Sequence, residues 1–296
     1  MNYLIGFLLV ILKDTIYSVA NLLDGELSRK TFTSVWSLAT INGIVLIPFI
    51  PLFFFILKPT IIEGSLWWVI LAVALLELFY QIPYYLALRN GSTSVIVSLF
   101  SLGRIFIPFF AFAITREILT PIQYFGYAII IVASVAISFE RKAFRLSKAL
   151  YFMIPTVILL ALQDSLGKLG LNNIDWRTYF FWVSAISVPI SLSPIFFSRT
   201  VRKEMGAYIK NPFSRMYLQM YIQNGLSWVA GGVGTFSLSM LPVTIAKGFS
   251  SIHPIIVHFI SSKGSKYLRI SERETISWRK IALFLLTAIG IILTMQ

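Results

Sequence analysis

The chain predicts an all-α membrane protein with ten transmembrane helices arranged as two inverted five-helix repeats, and three observations lead there. Hydrophobic residues fill 57% of its 296 positions while charged residues fill only 12%. The apolar residues gather into ten segments of about membrane-spanning length. The second half restates landmarks of the first, with basic residues moved to the opposite set of loops.

The composition lies far outside the range of a soluble domain, and the mean hydropathy is strongly positive at +0.81. An apolar helix needs about 20 residues to cross ~30 Å of hydrocarbon. Segments of that kind run over 2–23, 32–57, 66–88, 92–114, 121–139, 149–172, 178–198, 213–240, 243–262 and 279–295. Little chain remains for an aqueous domain, so function is expected within the membrane. The first segment carries Lys13 and Asp14 and reads as a retained helix rather than a signal peptide. The eighth is expected to tilt or kink near Gly231, Gly232 and Gly234. Prolines inside segments, among them Pro48, Pro83, Pro155 and Pro189, are compatible with helices because neighbouring helices satisfy the freed carbonyls. Cysteine is absent, which excludes disulfides, thiolate metal sites and cysteine nucleophiles.

Repetition appears in three places. Arg116-Glu117-Ile118-Leu119-Thr120 precedes the fifth segment, and Arg273-Glu274-Thr275-Ile276-Ser277 precedes the tenth. Each Glu is followed by a hydroxyl three residues on and a polar residue six on, Gln123 in one copy and Lys280 in the other. The stretch from Ser92 to Pro108 lines up with that from Leu241 to Val257, and Ile11–Ala20 with Ala161–Gly170, placing Asp14 on Asp164. The units are residues 1–140 and 141–296. Five crossings are an odd number, so the second copy enters from the opposite face, which makes the repeat inverted. Basic residues must then alternate between equivalent loops. Of the 25 Lys and Arg residues, 18 fall in odd-numbered loops, counting Arg215, Arg279 and Lys280 at the segment ends with them, and 3 in even-numbered ones.

That bias places the odd loops in the cytoplasm of a multi-pass protein of the cell membrane, with both termini outside. The formal charge of +13 becomes a topology signal and an attraction to anionic lipid at the basic loops, with no nucleic acid as partner. In the seventh loop Val201, Met205, Tyr208 and Ile209 form one helical stripe opposite Arg202, Lys203 and Lys210, as in an interfacial helix.

The Glu, the hydroxyl at +3, the polar residue at +6 and the apolar helix beyond resemble the end of the EamA domain of the drug/metabolite transporter superfamily. Gly126 and Gly290 stand where that family often has glycine, and Pro254 resembles its helix-four or helix-nine proline. The resemblance implies two inverted five-helix copies, with helices one to four and six to nine around a central cavity and five and ten at the periphery. The family usually keeps both termini in the cytoplasm, opposite to the charge bias here.

Seven ionisable side chains other than histidine fall in the interior of the segments, away from their ends: Lys13, Asp14, Glu77, Arg104, Asp164, Lys168 and Lys247. At roughly 3 kcal/mol each, exposing all seven to lipid would cost on the order of 20 kcal/mol, more than a typical fold's margin. They must face a wet cavity or one another. Asp164 and Lys168 have i, i+4 spacing and can pair along one face. Lys13 points about 100° away from Asp14, so Asp14 is expected to find its partner on another helix, with Arg104 the first choice. Glu77 shares a face with Gln81, has no cation nearby in sequence, and is the best candidate to lose and regain a proton as the cavity opens to each side. Lys247, Ser251, Pro254 and His258 form one stripe with His253 beside it, and the two histidines lack the supporting ligands of a metal site. Gln219, Gln223 and Asn224 give the eighth segment a polar face. Trp67, Trp68, Trp176 and Trp278 are placed as an interfacial belt, with Trp36, Trp182 and Trp228 deeper.

These readings converge on a secondary-active transporter, not an enzyme, that moves a small polar or amphipathic metabolite by alternating access. Proton coupling and solute exchange are both open, no cofactor is implied, and a homodimer is compatible. The intramembrane cations slightly outnumber the acids, which weakly favours a solute with an anionic group, such as an amino or organic acid. The alternatives are a polytopic enzyme acting on lipid, for which no Gly-x-Ser-x-Gly or His-Glu-x-x-His motif is found, and a non-transporting receptor or scaffold.

Overall fold

In a bilayer a backbone amide has no water to bond, so a chain this apolar must close its hydrogen bonds within helices. The computed structural model describes residues 2–91, 93–139, 148–254, 256–257, 260 and 278–295, and among these residues there is no strand. The elements are α1 (Asn2–Lys30), α2 (Val35–Leu46), α3 (Phe49–Leu57), α4 (Leu66–Asn90), α5 (Thr93–Leu99), a 3₁₀ segment (Phe100–Ile105), α6 (Ile107–Thr115), α7 (Pro121–Phe139), α8 (Lys148–Leu171), α9 (Trp176–Leu192), α10 (Pro194–Phe197), α11 (Arg199–Lys210), α12 (Arg215–Met240), α13 (Val243–Phe249), a second 3₁₀ segment (Ser250–Ile252) and α14 (Trp278–Thr294).

The regular structure of the described residues is all helical, as in a membrane protein. Among the described residues four helices are long and apolar enough to cross a bilayer: Tyr3–Arg29, Leu66–Asn90, Lys148–Leu171 and Trp176–Phe197. The pair α2 and α3 passes the same test together but bends by 51° at Ile47-Pro48. Proline explains the bend, since it lacks the amide that would continue the helical ladder. The second predicted segment is therefore a broken one.

Other predicted segments also change shape. α1 runs seven residues past its expected end at 23, bringing Asp24 and Ser28 into the helix. The fourth segment is interrupted by six residues of 3₁₀ helix, and the ninth by three. By contrast, α12 runs unbroken from Arg215 to Met240 through Gly231, Gly232 and Gly234. One of these, Gly234, lies where the stem of Lys13 passes: a Cβ there would come within 2.8 Å of Lys13 Cδ.

Three helix pairs make the most extensive contacts: α1 with α12, α4 with α8, and α7 with α14. Between α7 and α14 the backbones approach closely, because a Cβ on Gly126 would sit 2.8 Å from the Gly290 carbonyl, and one on Gly290 would sit 2.8 Å from that of Gly126. The two glycines singled out in the sequence face each other.

The motif around Glu117 also acquires a physical role. Its carboxylate accepts the amides of Val243 at 2.8 Å and Thr244 at 3.0 Å, capping the start of α13. Thr120 and Gln123 form a reciprocal capping box at the start of α7, with Thr120 N–H donating to Gln123 Oε1 at 3.0 Å and Gln123 N–H to Thr120 Oγ1 at 3.4 Å. The equivalent Glu274 and Ser277 lie outside the described residues, as do His258 and the basic residues Lys263, Lys266, Arg269 and Arg273.

At one end of the bundle, Arg89 donates to the carbonyls of Ser28, Phe32 and Thr33, and Glu204 accepts from the amide and hydroxyl of Thr33. Those bonds seat α11 beside α2. Val201, Met205 and Tyr208 bury into the core formed with Leu38, Ile41 and Met153, while Arg202, Lys203 and Lys210 remain exposed. The amphipathic helix thus lays its apolar stripe on protein. Ile209, expected on that stripe, is 70% exposed. At the opposite end, Trp67 packs on Trp182 and donates to the Ile62 carbonyl, and Trp182 donates to that of Thr60.

Candidate functional site

Between the helices lies a cavity of about 440 Å³, and its walls come from α1, α2, α4, α6, α8, α9, α12, α13 and the 3₁₀ segments. Eight of the polar candidates from the sequence line it, Asp14, Glu77, Gln81, Arg104, Asp164, Gln223, Lys247 and His253, together with Lys13 and Asn224. Another candidate, Lys168, is not among the lining residues and donates to the Leu238 carbonyl at 2.9 Å.

Charge pairing departs from both sequence expectations. Asp164 bonds Lys247 at 2.7 Å, joining α8 to α13, instead of Lys168 on its own helix. Asp14 Oδ1 bonds the adjacent Lys13 at 3.0 Å, and the same ammonium donates to Ser250 Oγ at 2.7 Å. The flexible lysine stem explains the second correction. Its four carbons carry the charge back across the ~100° that separates neighbouring Cβ directions on a helix.

Arg104 is 7% exposed and directs its Nε to the Lys247 carbonyl at 3.1 Å and its Nη2 to the Ser250 carbonyl at 2.7 Å. The switch to 3₁₀ geometry after α13 interrupts the ordinary ladder and leaves carbonyls at a helix C-terminus, where a cation is favoured. Arg104 supplies that cation from the other broken segment. His253, at the matching place in the second half, lies 3.4 Å by Nε2 from Asn21 Nδ2.

Glu77 is held differently. Tyr80 and Gln81 donate to its Oε1 at 2.8 and 3.0 Å, and Gln163 donates to Oε2 at 2.7 Å, so neutral groups satisfy the carboxylate. From Gln81 the network continues to Asn42, which donates to Gln81 Oε1 at 3.3 Å and to the Tyr85 hydroxyl at 2.6 Å, and to Asn224, which donates to Asn42 Oδ1 at 3.1 Å. Gln223 donates to Ser227 Oγ at 3.1 Å. A fourth carboxylate, Asp24, accepts from the Tyr84 hydroxyl at 3.5 Å.

Sequence reasoning missed Asp24 by ending the first segment too early. A signal was present: Asp14, Tyr17, Ser18, Asn21, Asp24 and Ser28 recur every three or four residues, one continuous polar face. Counting Asp24 and removing Lys168 reverses the charge balance. Among the described residues, four carboxylates and three Lys or Arg side chains line the cavity. The weak preference for an anionic solute therefore loses its basis. No group of three or more His, Asp or Glu that could hold a metal ion occurs among the described residues.

No family model and no curated protein matches the chain. Among solved structures, one described only as "Crystal structure of protein" superposes with a TM-score of 0.60 at 14% identity, over 99% of this chain and 94% of that one. The fold is shared over nearly the whole of both chains.

Proposed function

We propose that the chain is a secondary transporter of the drug/metabolite type, with ten membrane crossings built as two inverted repeats, moving a small polar or amphipathic metabolite through the central cavity by alternating access. The helix pairing carries this reading. Taking residues 1–140 and 141–296 as repeats, α1 matches α8, α4 matches α12, and α7 matches α14. Exchanging the repeats turns the α1–α12 contact into the α8–α4 contact and maps the α7–α14 contact onto itself. A half-turn axis between the repeats has that property.

Three further observations support it. Both the fourth and ninth segments break into 3₁₀ helix beside the cavity, and unwound backbone at membrane depth is tolerated where it lines a cavity or is buried in protein. Asp14 and Asp164, matched in the repeat, line the same space. The second segment is bent, which allows two packings of its halves. Ten crossings count α2–α3 and α9–α10 once each, add the less apolar α12, and include the two interrupted segments with α7 and α14. The basic odd-numbered loops face the cytoplasm and meet anionic lipid in this arrangement.

The test is reconstitution into liposomes with uptake of amino acids, organic acids and cationic drugs, with and without a pH gradient. Uptake or counterflow of at least one solute above protein-free vesicles is expected. No flux in either mode for any class would overturn the reading. Glu77→Gln tests the driving force: proton-driven uptake falls at least tenfold, and unchanged gradient-driven uptake would remove Glu77 from coupling.

A further inference from the structure

The cavity's four carboxylates are satisfied in two ways, and the difference names a solute charge. Asp164 is paired with Lys247 and Asp14 with Lys13. Glu77 receives hydrogen bonds from Tyr80, Gln81 and Gln163, and Asp24 from Tyr84. Hydrogen bonds from neutral amides and phenols orient a carboxylate but leave its charge uncompensated. Glu77 and Tyr84, the donor to Asp24, are seven residues apart on α4, two turns along one face, so Glu77 and the group that holds Asp24 stand on the same side of that helix.

Two more observations point to a ligand. Asp14 is 2% exposed, and its second oxygen, Oδ2, accepts no hydrogen bond among the described residues. A buried carboxylate oxygen left in that state calls for a donor. Tyr17 lines the same cavity and stands between Asp14 and Asp24 on one face of α1, three residues from the first and seven from the second. Phe180 and Trp228, whose rings meet edge to face with centroids 5.2 Å apart, form an apolar wall in the same cavity.

We propose that the solute carries an organic ammonium group, seated against Tyr17 between Asp14, Glu77 and Asp24, with its apolar part against Phe180 and Trp228. The inference rests on reading the cavity as a solute site. An ammonium donates hydrogen bonds, neutralises the excess carboxylate charge, and is attracted to an aromatic face. A cavity of about 440 Å³ has room for it with an aryl or short alkyl body.

Equilibrium binding to the full-length protein in nanodiscs tests this with three probes of similar size, phenethylammonium, 2-phenylethanol and 3-phenylpropionate, alongside sodium chloride alone. Phenethylammonium is expected to bind at least tenfold more tightly than the other two. Asp24→Asn and Glu77→Gln each weaken it at least tenfold, and Tyr17→Leu weakens it several-fold while Tyr17→Phe retains it. If a carboxylate variant fails to fold, the Tyr17 pair still decides, because both members keep every charge. Equal binding of the three probes, no binding of any, tighter binding of the anion, or full occupancy by sodium alone would overturn the proposal. Selective binding without liposome flux would keep the charge assignment and refute transport. Flux of anions alone would do the reverse.

Discussion

The two halves of the cavity solve the same problem with different chemistry. On one side, charges meet charges: Lys13 with Asp14, Lys247 with Asp164, and Arg104 with the carbonyls of a broken helix. On the other, Glu77 and Asp24 are held by phenols and amides. The first arrangement ties together helices from both halves of the chain and resists change, because removing either partner strands the other. The second fixes the position of negative charge without cancelling it, and leaves that charge for a mobile partner. The paired groups are suited to holding the structure, and Glu77, Asp24 and the unpartnered oxygen of Asp14 to receiving a solute.

The largest expected effect breaks the paired wall. Asp164→Asn leaves the Lys247 ammonium without its carboxylate, and a loss of about 2–3 kcal/mol is expected, less than for a fully buried pair because both side chains keep 21–28% exposure. Unfolding of the purified protein in mixed micelles measures it. The double variant Asp164→Asn, Lys247→Met should recover most of the loss, and failure to recover would show that the pair is not coupled.

A smaller change sharpens the contrast. Glu77→Gln replaces charged hydrogen bonds with neutral ones, and the difference between those classes is about 1 kcal/mol. Stability should fall by roughly that amount while ammonium binding collapses. A larger destabilisation than that of Asp164→Asn would mean that Glu77 is primarily a structural group.

The smallest effect belongs to the cation outside the cavity. Lys168→Met loses one hydrogen bond to the Leu238 carbonyl and should cost less than about 1.5 kcal/mol, with probe binding unchanged. A binding change greater than threefold would put Lys168 back among the solute groups.

Some of these features can be read from the chain and others cannot. The helix type, the membrane environment and eight lining side chains were legible because each rests on a local rule: apolar length, the cost of a charge in hydrocarbon, and polar spacing on one helical face. Gly126 and Gly290 were visible as positions, and the capping signals around Glu117 and Thr120 as a repeated pattern. The partners were less legible. Lys168 was the better local choice for Asp164 by spacing, but Lys247 on α13 took the place, and Lys13 reached Asp14 against the expected direction of its Cβ. Asp24 was missed because apolar content falls before α1 ends, although the polar stripe continues.

What the sequence determined by itself was which residues cannot face lipid and which backbone must be helical, because desolvation and hydrogen bonding act on each residue wherever it lies. What only the tertiary structure decided was which buried charge neutralises which, where two helices break, and that carboxylates outnumber cations around the enclosed space. Those depend on distances between residues up to 237 positions apart, as from Lys13 to Ser250. Electrostatic energy depends on separation in space, which periodicity along a single helix does not specify.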